Sequence, residues 1–407
     1  MASAAGLPAT LVRPDTNDFA PRFGFAWRPR GGTKFVLRGG YGIFYGTSSL
    51  YRLDEASDTY PFSINETYSA VTSNPLALTV SNAFPEARRR VGGITSTNGQ
   101  DVNQASQYIQ SWSLTTEREI GRGSVLEVAF AGSKGTNLPR RFDLNQPDRR
   151  LEVRQADGTF PRLFPQFQTI NYIINGSNSI YNSGSVTVKR RFSKKMFVRG
   201  AYTYAKSIDE SSNTGGTIAA GFPSAQDSRN LHGERGRSDF DIGHSLVGAF
   251  IWEPGIAKNA ILRKWQLAGT TRSYTGAPFT PKVANVSLDL GEAVRPDRTA
   301  SGRLDAPGAD GWFDRAAFPT VPRGSFRYGS SGRNVLDGPG FFTFDLSFSR
   351  RFAITEHTAM QFRWETFNLS NRANFNLPLT QVDVRGGGTI NTARGARVHQ
   401  LGLRLEF

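Results

Sequence analysis

The 407-residue chain has no cysteine. That excludes disulfides, thiol nucleophiles and cysteine-based metal sites. Histidine and methionine are almost as scarce, at four and three. Long apolar runs are missing as well. Mean hydropathy is −0.40, and no stretch approaches the ~20 apolar residues that carry a helix across a membrane. Met1 to Pro14 lacks a basic start followed by an apolar core, so no cleavable signal peptide is read there. A Gly-x-Ser-x-Gly nucleophile elbow is absent too. Hydropathy alone reads such a chain as soluble. Barrel strands, however, carry only half their residues on a lipid face and escape that measure.

What the chain does have is glycine, 43 residues of it, and 12% aromatic residues, mostly Phe and Tyr. The aromatics favour strands, and so much glycine weighs against long helices. The formal charge is +15 with a pI near 10.2, which raises nucleic acid as a partner. The basic residues are scattered through turns and loops, with no zinc finger, basic helix or aromatic RNA-binding motif. Solvated loop ends, some of them facing anionic lipid, explain the charge better, and no nucleic-acid partner is expected.

The last eleven residues carry the clearest pattern. Leu401, Leu403, Leu405 and Phe407 point one way, while Gln400, Gly402, Arg404 and Glu406 point the other. Similar alternation predicts strands over 19–28, 34–46, 106–119, 124–132, 180–192, 196–207, 239–252, 263–275, 341–352, 358–368 and 397–407. Short turns and long connections alternate between them. The long ones cover 47–105, 133–179, 208–238, 276–340 and 369–396. Tight turns at one rim and long loops at the other are the pattern of an antiparallel transmembrane β-barrel of the outer-membrane type. Trp27, Phe35, Phe192, Phe197, Trp252, Trp265, Phe352 and Phe407 all lie beside short turns or the terminus, where an aromatic girdle belongs. Eleven strands is an odd number, and single-chain bacterial barrels have even ones. Residues 1–17 therefore read as the tail of a truncated loop.

Several runs together resemble the C-terminal half of the barrel in Oar-like TonB-dependent receptors. They are Asn17 to Phe25, Tyr181 through Lys189-Arg190-Arg191-Phe192-Ser193 to Ser207, Asp227-Ser228-Arg229-Asn230 with Ser238 to Asp241, Gly338-Pro339-Gly340-Phe341-Phe342, and Phe367 to Phe375. The resemblance implies about half of a 22-stranded wall closed around an N-terminal plug, with a carboxypeptidase-regulatory-like domain and a signal peptide that are absent from residues 1–407. It also implies partners: outer-membrane lipid and lipopolysaccharide, the barrel-assembly machinery, the plug and through it TonB, and an unknown polar solute. The terminal residues Leu401, Leu403, Leu405 and Phe407 would serve as the assembly signal.

No active site is expected. His232, His244, His357 and His399 are too far apart in sequence to suggest a metal site. Asp209, Glu210, Asp239 and Asp241 bracket a loop containing Arg229, Arg235 and Arg237, and read as ion-paired loop anchors rather than as acid–base pairs. Asp345, Arg363, Glu365, Arg404 and Glu406 are expected to face a lumen. Gly39-Gly40-Tyr41-Gly42 lies within an alternating strand and has no helix after it, so it is not a phosphate loop. Gly215-Gly216 and Gly386-Gly387-Gly388 read as mobile loop tips. No cofactor is implied. Two other readings remain: an adhesion or scaffold barrel without transport, and a soluble basic β-protein that binds nucleic acid.

Overall fold

The computed structural model describes residues 8, 12–29, 34–46, 66–68, 81, 89–91, 96–121, 123–148, 160–167, 169–193, 195–212, 225–254, 264–283, 295–322, 325 and 327–407. Most of the first long connection, the tip at Gly215-Gly216 and most of residues 1–17 lie outside them.

Eleven strands follow one another in space in the order they occur in sequence. They are β1 (Arg22–Trp27), β2 (Phe35–Gly46), β3 (Gln107–Gly121), β4 (Ser124–Asp143), β5 (Thr169–Ser193), β6 (Met196–Asp209), β7 (His244–Trp252), β8 (Trp265–Tyr274), β9 (Phe341–Ala353), β10 (Ala359–Phe367) and β11 (Val398–Glu406). Every neighbouring pair is antiparallel. Two short segments add to this sheet, Ser96–Gln100 parallel to β5 and Gly236–Arg237 beside the end of β6. Among the described residues β1 pairs only with β2, and β11 only with β10. This is a curtain of wall with two free edges.

The expected eleven strands are all present, but two connections differ from expectation. Residues 133–179 were expected to be one long loop. Instead β4 and β5 continue as a paired extension beyond that point. Bulges on either side of Leu138 absorb the irregularity, and Asn137 takes φ +54. A bulge is where a strand tolerates proline and a left-handed asparagine. Residues 386–388 are not a free tip either. Gly388 donates to Leu379 O and accepts from Trp312 N, both at 2.8 Å.

The register carries one apolar face across the whole sheet. Leu401 sits opposite Trp364, Trp364 opposite Phe348, Phe348 opposite Leu267, and Leu267 opposite Trp252. On the other side of β6 the same face runs from Tyr202 through Val186, Val128, Thr116 and Leu37 to Trp27. The opposite face reads Ser245, Thr203, Ser185, Ala129, Thr115, Arg38, Ala26 along one row. A one-residue slip in any pair would exchange these faces, so the alternation itself holds the register. On the apolar face three rings lie over glycines of the next strand: Phe25 over Gly39, Trp112 over Gly132 and Phe250 over Gly269. A methyl group at any of these glycines would run into the ring.

Leu401 is 71% exposed, Leu403 70% and Phe407 97%. Water would not tolerate such a continuous apolar sheet, whereas hydrocarbon favours it. The described residues do form one buried apolar cluster, but it lies outside the wall. Phe279, Phe313, Ala317, Phe318, Leu336 and Val382 pack together beneath the connections after β8 and β10.

Leu346, midway along β9 on the apolar face, and Ser347, beside it on the polar face, form a matched pair for a test. Leu346→Arg should destabilise the bilayer-inserted protein by ~2–4 kcal/mol, and Ser347→Arg by much less. Denaturant unfolding in lipid vesicles measures both, and equal effects would contradict the face assignment.

Candidate functional site

The two rims are chemically different. Tight connections at 122–123, 194–195 and 354–358 join strands at one end, and the connections 144–168, 210–243, 275–340 and 368–397 gather at the other. At the long-loop rim, side chains from distant parts of the chain meet in a buried polar network.

Its centre is Asp209, the last residue of β6, whose carboxylate accepts from Arg333 and, at 2.6 Å, from Ser212 Oγ. Arg333 also donates to Asp209 O and Glu234 O, each at 2.8 Å, and lies 3.5 Å from Asp239. Both partners are almost wholly buried, Arg333 at 6% and Asp209 at 4% side-chain exposure. Asn334 donates to Asp239 at 2.6 Å, and Arg237 pairs with Asp241 at 2.8 Å and with Asp337. Asp241 in turn accepts from Ser207 N at 2.7 Å, which ties the loop back onto β6.

A second buried pair, Arg295 with Glu234 at 2.6 Å, is bracketed by Gln226, which accepts from Arg295 N. Gln146 donates to Gln226 O at 3.0 Å, bringing in the connection after β4. Further out, Arg327 makes a two-pronged contact with Asp297, and that hydrogen bonding holds the Asp297 carboxyl below its ordinary range.

The expected anchoring role of Asp209, Glu210, Asp239 and Asp241 matches this geometry. Glu210 holds the Asn178 backbone at 2.9 Å and His232 at 3.3 Å. The cation that Asp209 and Asp239 meet, however, is Arg333 from the connection after β8, and Arg295 from the same connection pairs with Glu234. Of the three arginines singled out from sequence, Arg237 joins the network and Arg229 pairs with Asp148 at 3.4 Å. Sequence reading missed Arg295 and Arg333 because they lie in a Gly/Pro/Ser-rich stretch whose path is not periodic. The one local signal was the turn-forming Ser330-Ser331-Gly332 run just before Arg333-Asn334.

Asp345, Arg363, Glu365, Arg404 and Glu406 share the polar face of the sheet. Arg351 reaches Glu406 at 2.9 Å, Arg404 lies 3.8 Å from Glu406, and Arg363 lies 3.7 Å from Glu365. Asp345 instead accepts from Asn368 N at 2.8 Å and Thr343 Oγ1 at 2.9 Å, closing the end of the β9–β10 pair. Lys189 with Glu127 at 3.0 Å and Arg38 with Glu117 continue the charged rows toward β2.

The family model described as "Outer membrane beta barrel domain" matches residues 1–400. The chain belongs to that family. It is an all-β outer-membrane barrel chain, and the soluble nucleic-acid reading is set aside. No curated protein matches the sequence. Among solved structures, the outer membrane transporter YddB from Escherichia coli is similar at 10% identity and TM-score 0.56, over 95% of this chain and 40% of that one. The FrpB iron transporter from Neisseria meningitidis, at 10% identity and TM-score 0.43, is covered to 39% of its length by 95% of this chain. The siderophore receptor PirA from Pseudomonas aeruginosa, at 9% identity and TM-score 0.41, is covered to 42% by 96% of this chain. The similarity to YddB shows the fold. The barrel chain spans about 40% of the length of that solved relative.

Set in a membrane, the apolar face becomes the lipid face and the polar face the lumen wall. Six of the seven girdle candidates within strands lie on the lipid face: Trp27, Phe35, Phe192, Trp252, Trp265 and Phe352. Trp265 stacks on Phe348 at 4.2 Å and meets Phe352 edge-on. Phe197 does not belong with them. It pairs with Ile251, which pairs with Ala268, on the lumen side. Closeness to a turn brought it into the set, but strand parity decides the face.

The histidines do not assemble. His244 Nδ1 is 2.7 Å from Tyr202 OH, His399 Nδ1 is 2.9 Å from Thr366 Oγ1, and His357 lies in the turn after β9. Among the described residues no three His, Cys, Asp or Glu side chains converge as a metal site. A cavity of about 500 Å³ opens between Phe142, Asp148, Arg162, Leu163 and Arg229 at the long-loop rim.

Removing Arg333 leaves the Asp209 carboxylate buried without its cation, a loss on the order of 3–5 kcal/mol. In Arg333→Met the connection 275–340 should detach, become sensitive to protease and exchange its amides faster, while the wall strands keep their protection. Unchanged proteolysis of that connection would refute its anchoring role.

Proposed function

We propose that this chain forms the C-terminal half of the barrel wall of an Oar-like TonB-dependent receptor. The observation that carries the proposal is the pairing of an eleven-strand, two-faced wall with long loops locked together at one rim only. Those loops capture a polar solute from outside. The lumen wall, with its Ser, Thr, Gly and Ala rows and its Arg–Glu pairs, surrounds a plug and guides the solute past it. In this reading a plug, a carboxypeptidase-regulatory-like domain and a signal peptide belong to the same protein, and the full wall has 22 strands. Such a wall removes the free edges of β1 and β11, which hydrocarbon does not satisfy. TonB supplies the energy through the plug, and no catalytic role is assigned to any residue.

The terminal strand fits an assembly signal. Leu401, Leu403 and Leu405 line its lipid face and Phe407 continues the same parity. Phe407→Asp should reduce the folded, heat-modifiable fraction in outer membranes several-fold, and normal assembly of this variant would remove Phe407 from the signal.

The decisive experiment is the intact mass and N-terminal sequence of the species isolated from native outer membranes, together with cross-linking to TonB. A much larger species that begins with plug sequence and cross-links to TonB is expected. A mature species starting near Met1, with no TonB cross-link, would overturn the transporter reading. It would leave the second one, an adhesion or scaffold barrel, which the packed apolar cluster beneath the outer loops also suits.

A further inference from the structure

Charge on the wall strands is sorted by face. All the carboxylates within β3 to β11 whose face the register assigns look into the lumen, namely Glu117, Glu119, Glu127, Asp209, Asp345, Glu365 and Glu406. The lipid face has charges as well, and among the described strand residues they are all basic. Arg118, Arg190 and Arg350 each lie three residues from the short-turn end of their strand. Lys134 and Lys206 each lie ten residues beyond the start of theirs.

The spacing fits a membrane. Lys134 is eight residues above Leu126, the partner of Arg118, and Lys206 is eight above Val198, the partner of Arg190. Eight residues span about 27 Å of strand, or about 19 Å of height at a tilt of ~45°, so the long side chains reach both edges of a ~25 Å apolar band. Between the two levels the lipid face is uncharged, for example Leu126, Val128, Phe130, Gly132 on β4 and Val198, Gly200, Tyr202, Tyr204 on β6.

The upper pair is confined to one side of the wall. Lys206 shares a row with Asn182 and Gly132, and Lys134 sits one step higher on β4. Two strand spacings and two residues of offset put their backbones about 12 Å apart. Both are exposed, and among the described residues neither has a carboxylate partner. Beside them Tyr202 OH meets His244 Nδ1 at 2.7 Å, and the Tyr204 ring lies 5.1 Å from the imidazole.

We infer that Lys134 and Lys206 form a docking site for the phosphorylated glycolipid headgroup of lipopolysaccharide in the outer leaflet. Two ammonium groups at headgroup height, with no carboxylate against them among the described residues and set above an apolar wall, complement an anionic headgroup whose acyl chains descend over Val128, Phe130 and Tyr202. Each such contact near an anionic surface contributes modestly, and the two add. The inference rests on the outer-membrane placement and on the face assignment. It does not depend on transport.

The test is the amount of lipopolysaccharide that stays bound to the intact protein when it is purified from outer membranes in mild detergent, read by native mass spectrometry. K134Q/K206Q should retain at least about tenfold less, whereas K134R/K206R should retain it and show that the wall assembles normally. R199Q, which removes a lumen-facing charge at the same strand, should behave as the unaltered protein. Equal retention by K134Q/K206Q, an equal loss in R199Q, or equally strong retention of added phosphatidylglycerol would overturn the proposal.

Discussion

Hydrocarbon offers no hydrogen bonds, so each backbone N–H and C=O inside it must find a partner in the protein. Most other features of this structure follow from that. A meander of antiparallel strands meets the demand with the shortest connections, and each strand then has one side for lipid and one for water. The aromatic-over-glycine pairs, such as Phe250 on Gly269, are a consequence on the lipid face. Where no second layer packs against the wall, rings fill its surface by lying across the neighbouring strand.

The same constraint sorts the charges. A carboxylate on the lipid face would meet acyl chains at mid-height and anionic headgroups at the edges, and both are unfavourable. On the lumen side it meets water and arginine. Arg350, resting over the Trp265 and Phe352 rings near the short-turn end, shows how a cation can stay on the lipid side, with its stem over aromatics and its head at the interface.

How much of this was legible in the sequence depends on which of two periodicities a residue obeys. Strand number and order were readable because period two survives through most of the length of the wall strands. Thr343, Asp345 and Ser347 alternate with Phe342, Phe344 and Leu346 without a break. The extension of β4 and β5 was not readable, because bulges around Leu138 shift the parity and hide the alternation. Phe197 was misplaced when nearness to a turn was given more weight than parity. The outer-rim network was half visible. Asp209 and Asp241 stood out as carboxylates at strand ends, but Arg333, which reaches Asp209, and Arg295, which reaches Glu234, come from a connection with no periodicity at all. Contacts of that kind depend on the path of the loop, which local pattern does not encode.

Among the described residues the buried apolar cluster lies outside the wall, so the order of the long-loop rim has to come from the loops themselves. Long loops add little extra closure entropy with length, so their ordering is decided by what they bury. Here they bury the cluster around Phe313 and Phe318 and the ion pairs Arg333–Asp209 and Arg295–Glu234. Buried ion pairs add little net stability over an apolar alternative, yet they strongly penalise any other loop arrangement. A rim built this way is held in one geometry without any demand on the strands below it. The strands answer to the bilayer and the loops to the contacts they make with one another. That separation explains how a wall with 10% identity to YddB keeps the same fold while its outer surface is free to differ.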